Sequence, residues 1–105
     1  MKVFRLDDLD AERAANQGAY LRFLREPHMS AGLYALQAGQ SDPQQPHEQD
    51  EVYVVVSGRA SITVGEETTT VARGSVVYVP ARTPHRFHHI SEDLRVLVVF
   101  SPPEP

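Results

Sequence analysis

The chain has 105 residues, 41% of them hydrophobic and 23% charged, with a formal net charge of −4. That is the make-up of one globular domain, expected to span residues 1–105 around one core. Its ten basic residues are scattered and Lys2 is the only lysine, so there is no basic stripe to face phosphates and no nucleic-acid partner is expected. There is no cysteine, which excludes disulfide staples and zinc–thiolate sites.

In chain order, Met1–Asp10 carries Asp7, Asp8 and Asp10 and lacks a basic start followed by an apolar run, so no secretory signal is expected. No apolar stretch approaches the ~20 residues that span a bilayer. A cytoplasmic location with no membrane partner is the expectation. Residues 6–17 are the one helical candidate. Leu9 is their only large apolar residue after Leu6, so a short surface turn is expected there. Strands are predicted at 20–24, 30–38, 52–56, 60–64, 68–72, 76–79, 86–90 and 94–100, from β-branched and aromatic runs and period-two alternation. Turn residues separate them, notably Gly39 to Pro46, Ser57-Gly58, Gly65, Arg73-Gly74, Pro80 to Pro84 and Ser91 to Asp93. Many short strands at such spacing predict an all-β sandwich or barrel. The apolar runs 52–56 and 96–100 are predicted to be covered on both faces, by a second sheet or by a partner chain. The tail Pro102-Pro103-Glu104-Pro105 is expected to fray.

Two stretches carry the chemistry. In the first, Glu51 opens an apolar strand. A buried, unpaired carboxylate costs several kcal/mol, so Glu51 calls for a partner or a metal. His47 lies four residues earlier, about 13 Å away along a straight strand. Both reach one ion only if the chain bends at Glu48-Gln49-Asp50; Asp50 is read as a turn residue. In the second stretch the chain leaves a strand at Pro80 and starts another near His85. Alternation puts His85, Phe87 and His89 on one face and Arg86 and His88 on the other.

These stretches resemble the cupin family. Its first motif is a glycine, a His-x-His pair, a glutamate, six residues and a glycine; Gly39, His47, Glu51 and Gly58 match it. Gly74, Pro80 and His85 match the second motif. Gln45 stands where the first histidine of the pair is usual, Arg82 at a glycine position and His89 at an asparagine position. The resemblance implies an antiparallel double-stranded β-helix, or jelly-roll barrel. It also implies one divalent metal ion (Fe, Mn, Ni, Co or Zn) held by His47, Glu51 and His85, with Gln45 as a possible fourth ligand. Two histidines and a carboxylate with open positions are the donor set of non-haem Fe(II) oxygenases.

Around that centre, Tyr53, Phe87 and Arg82 are the candidate walls of a substrate pocket, with Arg82 at its mouth or solvated. His89 has two readings: a satisfied core histidine, or a pocket acid/base, since imidazole titrates near neutral pH. Three functions follow. One is a metal-dependent enzyme of dioxygenase, isomerase or lyase type acting on a small molecule. The second is a non-catalytic module binding a small ligand or a metal, and the third a barrel whose histidines only hydrogen-bond. A homodimer is expected, because the apolar runs have a second face to cover, small cupins commonly pair through their sheets, and two-fold pairing is the commonest assembly.

Overall fold

A computed structural model of the chain describes residues 1–43 and 46–105. One helix, α1 (Leu6–Ala15), precedes six strands: β1 (Tyr20–Glu26), β2 (Met29–Leu36), β3 (Asp50–Val64), β4 (Glu67–Ala72), β5 (Val76–Val79) and β6 (His85–Ser101). Every strand pairing is antiparallel, in the order β1-β2-β6-β3-β4, with β5 added to β3. The first half of β3 lies between β5 and β6, and its second half between β4 and β6.

At Ser57-Gly58 and at Ser91–Asp93, where the sequence predicts turns, the chain does not turn. The paired segments fuse into β3 and β6, and both irregular stretches are bulges: the β3–β6 register slips between Val55 and Ser57, Ser57 and Arg59, and Arg59 and Ser61. A bulge bends a strand without ending it, which lets two long strands serve both halves of a β-barrel. Gly58 is required at the bend. Its φ is +97°, and a Cβ there would stand 2.2 Å from the Asp93 carbonyl oxygen.

The interior faces alternate as the pleat demands. Tyr53, Val55, Ala60 and Ile62 of β3 meet Phe87, Ile90, Leu94, Val96, Val98 and Phe100 of β6, with Tyr34 and Leu36 of β2 closing the core. The outer faces of β3 and β6 are only half-buried at Val52, Val54, Leu97 and Val99, so coverage on both faces is partial. Residues 6–15 form a true ten-residue helix rather than a turn. It is tied down by buried Leu9 and by Asp10, which bridges Arg13 (3.0 Å) and Arg95 (3.1 Å). The tail does not fray: residues 101–105 are hydrogen-bonded back onto the sheet. Asp50 opens β3 instead of making a turn, and its carboxylate accepts the Ala81 N–H at 2.9 Å. Among the described residues no helix is long and apolar enough to cross a membrane.

Candidate metal centre

His47, Glu51 and His85 come together as the motif spacing requires. One ligand atom from each lies within 4.8 Å of the others. The chain bends at Glu48 and Gln49, so His47 stands outside the strand that Glu51 begins. Phe100 packs edge-on against the His47 ring at 4.9 Å, and the His47 and His85 rings are 5.5 Å apart. Glu51 is 2% exposed and His85 7%.

Two loops far apart in sequence are clamped here. The Arg82 N–H donates to the His47 carbonyl at 2.6 Å, and Asp50 holds the Ala81 N–H. Asp42 adds a third fixture that the sequence reading missed. It is buried, and its two carboxylate oxygens take the Tyr34 hydroxyl (2.6 Å) and the Phe87 N–H (2.9 Å). Asp42 is thereby pinned to β2 and to the strand that carries His85. The only local signal was Asp42-Pro43, an ordinary turn dipeptide.

The donor set suits a divalent ion. The Thr83 carbonyl stands 2.9 Å from His85 Nδ1, so Nδ1 carries the proton and Nε2 keeps a lone pair aimed into the site. That Nε2 lies 3.0 Å from Glu51 Oε1, yet neither it nor either Glu51 oxygen has a partner in hydrogen-bonding geometry. Buried polar atoms are rarely left so. Three of them converging beside His47 are what a cation with nitrogen and oxygen ligands satisfies. Without one, burial pulls the His85 pKa down, but the Glu51 carboxylate, the Thr83 carbonyl and the Asp42 charge outweigh it, and the net shift is upward.

A cavity of about 340 Å³ opens beside the site, lined by Tyr20, Tyr34, Pro43, His47, Glu51, Val98, Phe100 and Glu104. The expected walls are elsewhere. Tyr53 and Phe87 are fully buried beneath the site; they pack on each other at 4.9 Å, and the Tyr53 ring leans on His85 at 6.0 Å. They support a ligand instead of lining the cavity. Burial first, and then the Glu51 charge, push the Tyr53 pKa upward, so its hydroxyl stays neutral. Arg82 is on the surface, 3.7 Å from Glu48, with a φ of +63° at the position where the family motif has glycine. Both readings of His89, the core histidine and the pocket acid/base, are corrected. Its φ of +48° breaks the alternation, and the exposed ring turns outward against His88, Nδ1 to Nδ1 at 2.6 Å. Gln45 lies outside the described residues.

The family model for the cupin domain matches residues 32–100, which include both motifs and all three candidate ligands. The chain belongs to the cupin family. This cupin is 79% identical over 104 residues to an uncharacterized protein of Streptomyces coelicolor, across 99% of each chain. Among solved structures it resembles TT1209 from Thermus thermophilus, at 28% identity and a TM-score of 0.80, covering 99% of this chain and 100% of that one. It is equally similar to an RmlC-like cupin protein from Desulfovibrio desulfuricans, at 28% identity and a TM-score of 0.80, covering 99% of both chains.

Proposed function

We propose that this cupin is a metal-dependent enzyme acting on a small molecule held in the cavity beside His47, Glu51 and His85, with chemistry of dioxygenase, isomerase or lyase type. The carrying observation is the convergence of unsatisfied Glu51 and His85 atoms next to His47, at the wall of a cavity large enough for a ligand. A first-row divalent ion bound there would supply Lewis acidity, or redox chemistry if it were iron or manganese. The chain's own contribution is geometric. Thr83 orients the His85 ring, Asp42 and the Arg82 N–H fix the two loops, and Val98 and Phe100 keep one wall dry.

The test is elemental analysis after reconstitution with Fe, Mn, Ni, Co or Zn and dialysis at neutral pH. One equivalent retained, together with oxygen uptake or turnover across a panel of small molecules, supports the enzyme. Metal retained without turnover supports the non-catalytic binding module, and no metal retained removes both.

The proposal extends to a homodimer. Two cross-strand rows, Leu97–Val54–Val76 and Val99–Val52–Tyr78, make an apolar outer face that is half-buried on β3 and β6 and exposed on β5. Val76 and Tyr78 at its edge are 68% and 58% exposed. An apolar sheet face with exposed large side chains at its edge suits a second copy. Light scattering should give twice 11.7 kDa, and Val76→Asp should return a monomer.

A further inference from the structure

The tail crosses over β1 and β2 and closes one side of the cavity. Its backbone is held by the Arg22 guanidinium, which donates to the Glu104 (3.2 Å) and Pro105 (3.0 Å) carbonyls, and by Arg25 Nε on the Glu104 carbonyl (3.3 Å). The Glu104 N–H donates to Ser30 Oγ at 3.1 Å, and the Gln49 amide reaches the Pro103 carbonyl at 3.4 Å. With the main chain so anchored, the Glu104 carboxylate takes the Tyr20 hydroxyl at 2.7 Å and forms part of the cavity wall.

Tyr20 reaches Glu104 only because residue 32 is glycine. A Cβ at Gly32 would stand 2.2 Å from the Tyr20 hydroxyl oxygen and 2.3 Å from Cζ, so the ring lies across β2 where a side chain would otherwise be. Burial, then the hydrogen bond and charge of Glu104, push the Tyr20 pKa upward, so the hydroxyl donates and keeps its proton.

The charges around the cavity have one sign. Glu51 and Glu104 line it, and no Lys or Arg does so among the described residues. The nearby Arg22 and Arg25 are spent on the tail's main-chain carbonyls. A divalent ion at His47, Glu51 and His85 would balance the two carboxylates, and an anionic ligand would then leave an uncompensated charge in a partly dry site. The other walls are the rings of Tyr20, Tyr34 and Phe100 with Val98 and Pro43, around about 340 Å³, room for a small aromatic molecule.

We propose that Glu104 is a specificity-determining residue of this cavity: it accepts hydrogen bonds from a neutral, hydroxyl-bearing small aromatic molecule and turns anions away. The inference rests on the proposed function for the far end of the ligand, but the charge selection belongs to Glu104 itself.

The test titrates isotope-labelled protein, metal-free and zinc-loaded, with catechol and separately with benzoate, following backbone amide shifts. Catechol should saturate both forms and move the Tyr20, Ser30 and Glu104 amides, with benzoate weaker. Glu104→Gln should weaken catechol about fivefold or more and strengthen benzoate by a similar factor, since a charge-assisted bond is roughly twice as strong as a neutral one. Tyr20→Phe keeps the charge, so benzoate should stay excluded. The proposal is overturned if Glu104→Gln changes both affinities by less than twofold, if wild-type protein takes benzoate as well as catechol, or if catechol binds neither form. Zinc retention, measured by elemental analysis on the same samples, reports separately on the metal centre.

Discussion

Strand β6 carries two histidines three residues apart that could hardly be housed more differently. His85 is 7% exposed, its Nδ1 proton is committed to the Thr83 carbonyl, and its Nε2 faces Glu51 without a bond. His88 is half-exposed on the other face, and both its nitrogens are used: Nε2 lies 2.7 Å from Thr63 Oγ1 and Nδ1 2.6 Å from His89. Even their titration is displaced in opposite senses. Glu51 and Thr83 outweigh burial and raise the His85 pKa, whereas desolvation, then the Arg86 and His89 charges, lower that of His88. The imidazole is common to both, so the capacity to hold a metal lies in the unsatisfied lone pair and the buried carboxylate opposite it.

The sharpest way to break this contrast is to remove each side in turn. His85→Ala, Glu51→Ala or His47→Ala should abolish stoichiometric metal, while the double variant His88→Ala, His89→Ala keeps one equivalent by elemental analysis. Equal loss from both sets would mean that the ion sits elsewhere.

Stability should follow the same divide one residue over. Phe87 is fully buried against Tyr53, and Phe87→Ala is expected to cost about 3–5 kcal/mol in chemical denaturation. His88→Ala should stay within about 0.5 kcal/mol, as surface changes generally do. Asp42→Ala should fall between them, at about 1–3 kcal/mol, because it orphans the Phe87 N–H and the Tyr34 hydroxyl.

A pH series then separates the two environments. In metal-free protein the raised His85 pKa means that its contribution is complete below about pH 6.5, the unfolded value, and is lost as pH rises through the folded one. His88, with a lowered pKa, contributes fully above about pH 6.5 and loses that contribution as pH falls through its folded value. Bound metal reverses the His85 trend, because the ion requires neutral imidazole; its added Tm should grow with pH and vanish on acidification. Imidazole proton titrations by NMR that place His85 below His88 would sink the assignment.

The smallest effect is expected at Arg82. Arg82→Gly relieves a left-handed φ worth up to about 1 kcal/mol and removes only an exposed ion pair, so metal content should not change and Tm should rise slightly. A variant that lost its metal would show that this side chain reaches the site.

What could be read in advance divides along physical lines. Glu51 at the head of an apolar strand and His85 directly after Pro84 are local signals; local signals carried the β-rich fold, and the resemblance to the family's two motifs supplied the candidate ligand set. Ser57-Gly58 and Ser91–Asp93 misled because the residues that make turns also make bulges, and only the pairing partner distinguishes them. His89 escaped the period-two rule through one positive φ. Tyr53 and Phe87 were placed in a pocket because alternation gives the face but not the depth. Asp42 and Glu104 were invisible for a different reason: their partners, Phe87 and Tyr20, lie 45 and 84 residues away.

The Arg82–His47 clamp bears on the order of events in folding. It joins main-chain atoms 35 residues apart, just beyond the β3–β5 ladder in which Glu51 faces Val79, so its loop-closure cost is met only once that ladder has formed. Such a closing contact is expected to form after the transition state. An ion captured there should prolong the lifetime of the native barrel without hastening its birth, lowering the unfolding rate and leaving the refolding rate where it was.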